Sequence, residues 1–212
     1  MAYEVPALGT AGQVYTAAAH NIIVEDIRMF SVFANEAARD AAITSPTEGM
    51  HAYLTAPTVP AATGTTTAIP IGVQTIYNGV AWVCVTPVGS GSNNTASTTS
   101  TSFVTTLTGD GTAISVTLVT GTTVRLDMFL IGSNSSAATQ FVTYSVSGAT
   151  TVSAALTDGA WARIGSATDF SLSRGRVITG LTAGTNTFTL NYRTDAGTFT
   201  INSRSLIVVG IA

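Results

Sequence analysis

The sequence contains no lysine, a single cysteine and two histidines, and charged side chains make up only 9% of its 212 residues. Each shortage removes a class of chemistry. Without lysine there is neither a phosphate-binding loop ending in Gly-Lys-Ser/Thr nor a Schiff-base nucleophile. Cys84 stands alone, so no disulfide closes within the chain, and it reads as a small buried hydrophobe. His20, His51 and Cys84 have no local spacing that suits zinc, so neither metal nor cofactor is expected. His20 reads instead as a packed or interface residue. The eight basic residues are all arginine, and they are scattered in a chain of net charge -3. That excludes a basic patch neutralising nucleic-acid phosphates. No run reaches the roughly 18 apolar residues of a membrane-spanning helix. Residues 1–12 lack the positive and apolar regions of a signal peptide, so synthesis in the cytoplasm is the expectation.

What is present is apolar and hydroxylic. Hydrophobic residues reach 45%, enough for a packed core, and Thr, Ser, Ala and Gly replace the missing charge. A surface so poor in charge is naturally covered by contacts between subunits.

All six prolines, both histidines and the cysteine precede residue 88. Residues 88–102, VGSGSNNTASTTSTS, show no apolar periodicity and read as a flexible linker. The expected division is therefore an arm and docking helix over 1–33, a small α+β collar over 34–87, the linker 88–102, and a sandwich over 103–212. Thr16 can cap the first helix, whose stripe is His20, Ile23, Ile27, Phe30 and Ala34. A second helix is expected over Asn35–Ile43, closed by Ser45-Pro46. A strand over Met50–Leu54 follows, then a Pro- and Thr-rich loop over Thr55–Pro70. The next expected element is a hairpin with arms Val73–Tyr77 and Ala81–Val85, turning at Asn78-Gly79 in a type I′ turn.

From Phe103 onward, apolar residues alternate in short runs about ten residues apart. The runs are Phe103–Leu107, Ile114–Leu118, Val124–Leu130, Val142–Val146, Phe188–Tyr192 and the strand begun by Phe199 and Ile201. Such spacing fits an antiparallel double-sheet sandwich of jelly-roll type. The last strand departs from alternation: Leu206, Ile207, Val208, Val209 and Ile211 are apolar on both faces. Two placements satisfy it, an interface between copies or the middle of a thick intrachain core. A domain this small favours the first.

Candidates for chemistry are few. Asp110, Asp158 and Asp195 adjoin turns, where Asp caps its own backbone, and Asp127 shares a strand face with Arg125 as an expected ion pair. Asp169 has no assigned role, and the sandwich half holds no Glu, which leaves little for a paired-carboxylate glycosidase. Arg174 and Arg176 flank Gly175; two such guanidinium groups can fork onto a carboxylate or a sugar acid, but a solvated strand entry or an intersubunit salt bridge to a nearby Asp is the preferred reading. Trp82 is assigned to the collar core. Trp161 follows Asp158-Gly159 at an expected loop and is the better contact residue. No catalytic, cofactor-binding or metal residue is assigned, and no enzyme is expected.

Three stretches resemble bacteriophage virion proteins. GQVYTAAAHNIIVEDI (12–27) is similar to the N-terminal region of tail and minor tail proteins. ARDAAI (38–43), Pro46, Glu48-Gly49-Met50 and Tyr77-Asn78-Gly79 with Ala81-Trp82 resemble a small module of tail-fibre and minor tail proteins. LTAGTNTFTLNYR (181–193) and FTINSRSLIVVGI (199–211) look like the end of trimeric jelly-roll domains of the C1q/TNF type. The resemblance implies a homotrimeric virion appendage, a minor tail or short fibre protein anchored by its N-terminus to other virion proteins. Its last strand would run near the threefold axis. Capsid decoration, a head fibre, and a module binding a host-surface glycan are the alternatives.

Overall fold

A computed structural model describes residues 31–211. The first helix stripe, His20 to Phe30, lies outside the described residues. At its expected end the chain is extended, not helical: β1 (Ser31–Phe33) pairs in parallel with β2 (His51–Leu54). Between them lies α1 (Glu36–Ala42), where Asn35 caps the start by accepting the Ala38 amide at 3.0 Å. Glu36 then reaches back to the following loop, accepting the amides of Thr58 and Val59 at 3.0 and 2.9 Å. Burial opposes its ionisation, but these amides outweigh it and hold the carboxyl below its ordinary pKa.

The collar sheet is completed by β5 (Val73–Tyr77) and β6 (Trp82–Cys84), in the order β1-β2-β5-β6. The hairpin forms where expected, but its turn is not type I′. Only Gly79 takes a positive φ (+88°), while the Asn78 carboxamide accepts the amides of Val80 and Ala81 at 3.1 and 2.9 Å. Tyr77 pairs with Trp82, leaving a four-residue loop held by the Asn78 side chain. Trp82 is buried, with the Arg39 guanidinium 4.7 Å above its ring.

The remaining strands form a sandwich. They are β3 (Ala61–Thr63), β4 (Thr66–Ala68), β7 (Val88–Ser92), β8 (Ala96–Thr98), β9 (Ser115–Thr120), β10 (Thr123–Asn134), β11 (Ala138–Gly148), β12 (Ala160–Ile164), β13 (Phe170–Thr179), β14 (Gly184–Thr194) and β15 (Phe199–Ile211). One sheet runs β13-β10-β15-β7-β4, with β8 also on β15; the other runs β12-β11-β14-β9-β3. The antiparallel pairs β7·β15, β9·β14, β10·β13 and β11·β12 are nested in sequence. A ribbon of four nested pairs, rolled so that β10 meets β15 and β11 meets β14, is a jelly roll.

Alternation built the core as expected. Val124, Leu126, Met128 and Leu130 face inward from β10, Val142, Tyr144 and Val146 from β11, and Phe188, Leu190 and Tyr192 from β14. Leu54, Val73 and Cys84 of the collar belong to the same buried cluster.

Three further expectations from the sequence are overturned. Residues 88–102 are not a free linker: all five residues of β7 are buried against β15, and β8 pairs β15 further along. A Cβ on Gly91 would lie 2.8 Å from the Arg204 carbonyl oxygen, so the small residues are there for close approach, not flexibility. Within the expected loop Thr55–Pro70, β3 and β4 cap the outer edges of the two sheets by pairing with β9 and β7. Phe103–Leu107 forms no strand; Val104 makes an isolated bridge to Tyr192.

Candidate functional site

The terminal strand sets up one candidate surface. Along β15, Leu206 and Val208 are fully buried in the sandwich, whereas Ile207 (44%) and Ile211 (41%) are exposed on the outward face. Register places their neighbours. Ile207 lies opposite Asp127, Ser205 opposite Phe129, and Ser203 opposite Ile131 on β10. Arg125 lies opposite Val177 on β13. Phe129, Ile131 and Val177 are also exposed, so three adjacent strands present apolar side chains to one side. Beside Ile207 the face dips into a shallow trough of about 220 Å³ between β4 and β15, floored by Gly89 and Gly91 of β7. The one charged pair on this face, Arg125–Asp127, is internally neutralised at 3.1 Å, as expected.

Behind the same strand lies a polar cluster that alternation does not reveal. Arg204 occupies an inward position of β15 and is 1% exposed. Its guanidinium donates to Asp110 Oδ2 at 2.7 Å and to the Asn94 carbonyl at 3.1 Å. Asp110 also accepts the Ser92 hydroxyl at 2.6 Å and the Thr112 amide at 3.2 Å. The Ser92 hydrogen bond, with Thr112 and Arg204, outweighs burial and holds the Asp110 carboxyl below the usual range. Tyr192 is buried beside them, and burial pushes its phenol far above its ordinary pKa. Asp110 caps its turn as its neighbours suggest, but its principal partner is 94 residues away.

The opposite sheet carries the second candidate surface. Trp161 sits in β12, not in a loop, and is 61% exposed. It pairs with Phe141 of β11, which pairs with Arg193 of β14. The Arg193 guanidinium lies 4.8 Å from the Phe141 ring and 5.7 Å from that of Phe103, and it binds Asp195 at 2.6 Å. Further along the same sheet the outward positions carry hydroxyls and amides. Thr117 and Thr187 hydroxyls meet at 2.8 Å, and the Asn191 amide donates to the Ser145 hydroxyl at 2.9 Å.

Arg174 and Arg176 do not join Trp161 as a binding pair. They project from inward positions of β13 across the open edge of the sandwich. There Arg176 binds Asp158 at 2.6 Å and Arg174 donates to the Gly159 carbonyl. The bridge is intrachain, a clasp between β13 and the turn before β12. Thus four sandwich aspartates, Asp110, Asp127, Asp158 and Asp195, each have their own arginine, and Asp169 lies exposed before β13. His51 pairs with Ile76 and Cys84 with Thr75, so the two point to opposite faces of the collar sheet. Among the described residues, no group of three or more His, Cys, Asp or Glu side chains assembles to hold a metal ion. No described helix is long and apolar enough to cross a membrane.

No protein-family model and no curated protein matches the chain. Its solved structural neighbours include Eiger TNF from S. frugiperda, at 10% identity and TM-score 0.41, covering 57% of this chain and 87% of that one. Infectious bursal disease virus Gx strain is similar at 11% identity and TM-score 0.40, with 66% of this chain and 41% of that one covered. TmCBM61 in complex with β-1,4-galactotriose follows at 9% identity and TM-score 0.27, covering 56% and 68%. These neighbours are jelly-roll folds, and the likeness is one of fold alone.

Proposed function

We propose that this chain is a non-enzymatic structural protein of a bacteriophage particle, a homotrimeric appendage whose mechanism is assembly. The observation that supports it is the outward face of β10, β13 and β15, where Phe129, Ile131, Val177, Ile207 and Ile211 remain exposed on a single subunit. Burying that face between copies removes the apolar surface from water, at about 25 cal/mol per Å². A ring of three needs two complementary surfaces on each subunit. In this reading the exposed apolar side chains of β10 and β13 meet the trough over β7 on the next copy. Residues 1–30, with their likeness to phage tail proteins, serve as the anchor to other virion proteins, and the sandwich projects from it.

Sedimentation equilibrium tests the association. The wild-type chain sediments as a trimer, and Ile207→Asp reduces it to a folded monomer. A wild-type chain that sediments as a single subunit, or an Ile207→Asp variant that stays trimeric, contradicts the proposal. The particle role has its own test. A chain lacking residues 1–30, which leaves β1 intact, stays folded but is absent from purified particles; normal incorporation rejects the anchor.

A further inference from the structure

The outward face of the five-stranded sheet combines groups that neither the fold nor self-association requires. Seven arginines lie among the described residues. Arg39, Arg125, Arg176, Arg193 and Arg204 are ion-paired, and Arg174 donates to the Gly159 carbonyl. Only the side chain of Arg163 forms no hydrogen bond or ion pair, and the residue is exposed. It stands two residues from Trp161 on β12, so both side chains leave the same face of the strand. The largest exposed aromatic and the one arginine of the described chain whose guanidinium has no partner are therefore neighbours.

Their surroundings narrow the ligand. Trp161, Phe141, Arg193 and Phe103 form one cross-strand row, with Phe141 and Phe103 holding the guanidinium and Asp195 orienting it. Adjacent strands are about 4.8 Å apart, so successive members of the row are spaced on the scale of one sugar ring. A flat indole suits the C–H face of a pyranose, and an Arg–Asp pair offers a donor and an acceptor to its hydroxyls. One free guanidinium recognises one carboxylate by a forked pair of hydrogen bonds. Nucleic acid would need several free cations along a backbone, and the chain is net negative.

We infer that this face binds an acidic glycan, with one sugar ring stacked on Trp161 and its carboxylate held by Arg163. The site lies on the sheet opposite the proposed association face, so the two readings stand or fall separately.

Affinity electrophoresis of the full chain tests it, in gels containing polygalacturonate, alginate, hyaluronate or polysialate, with pullulan as the neutral polymer. At least one carboxylated polymer retards the wild-type chain and pullulan does not. Trp161→Ala abolishes the retardation, Arg163→Gln weakens binding about tenfold or more, and Arg125→Gln on the opposite sheet leaves it unchanged. Unaltered thermal melting of each variant shows that the fold is intact. No retardation in any carboxylated gel, equal retardation by pullulan, or full binding by Trp161→Ala or Arg163→Gln overturns the assignment.

Discussion

The two sheets of the sandwich have interchangeable inner faces and opposite outer ones. Inside, β10 contributes buried Val124, Leu126, Met128 and Leu130, and β14 buried Phe188, Leu190 and Tyr192. Outside, β10 and β15 show Phe129, Ile131, Ile207 and Ile211, while at the outward positions of β9, β11 and β14 the half-buried Thr117, Thr187 and Ser145 and the buried Asn191 are joined by side-chain hydrogen bonds. Period-two patterning is satisfied by either, because it constrains only the inward positions. The outward positions of a sheet therefore carry the information about partners. One sheet turns hydrogen-bonded polar groups outward and the other turns out apolar side chains.

The contrast is open to direct attack, most severely along β15, where inward and outward positions alternate residue by residue. Val208→Asp buries an unpaired charge in the core and should cost more than about 4 kcal/mol, seen as loss of the cooperative unfolding transition. Ile207→Asp, one residue away, should keep that transition and change only the sedimenting mass. Arg204→Ala leaves Asp110 buried without its cation and should cost about 3–5 kcal/mol in urea unfolding. Pairing Arg204→Met with Asp110→Asn should recover most of that loss, since no charge is then stranded.

Acid addresses the same cluster. The folded Asp110 carboxyl is held below its unfolded value of about 3.9. Its contribution is thus complete above that value and is lost as pH falls through the lower, folded one. The wild-type melting temperature should drop more steeply below pH 4 than that of the Arg204→Met/Asp110→Asn variant; parallel curves would refute the assignment. The smallest effect belongs to the polar sheet. Thr187→Val should change stability by about 1 kcal/mol or less and leave the sedimenting mass as it was.

The sequence made the strands with strict alternation legible, from Val124–Leu130 to Phe188–Tyr192, because each residue pair repeats the same inside-outside choice. It also made legible the double-faced apolar character of β15. It concealed β7, because VGSGS lacks the large side chains that mark burial, and its glycines record a backbone contact 113 residues distant, at Arg204. The three-residue edge strands β3 and β4 carry too few positions for any period to show. Arg204 and Asp110 were invisible as a pair, since a charge at an inward strand position names no partner. Asp158-Gly159 ahead of Trp161 reads as a loop, yet the short helical turn at Leu156–Asp158 ends there and β12 begins at once. For Arg174 and Arg176, the sequence points to a solvated strand entry or an intersubunit salt bridge. The bridge forms, from Arg176 to Asp158, but within the chain, because strand direction carries both side chains to the sandwich edge.

The central claim is that the outward face of β10, β13 and β15 is covered by other copies of the chain. Carbene footprinting of the wild-type protein reads this without any substitution, using Trp161 on the opposite sheet as the internal reference. The account predicts that Trp161 is heavily labelled while Phe129, Val177 and Ile207 are protected far beyond their exposure on a single subunit. Labelling of those three in proportion to that exposure would contradict it.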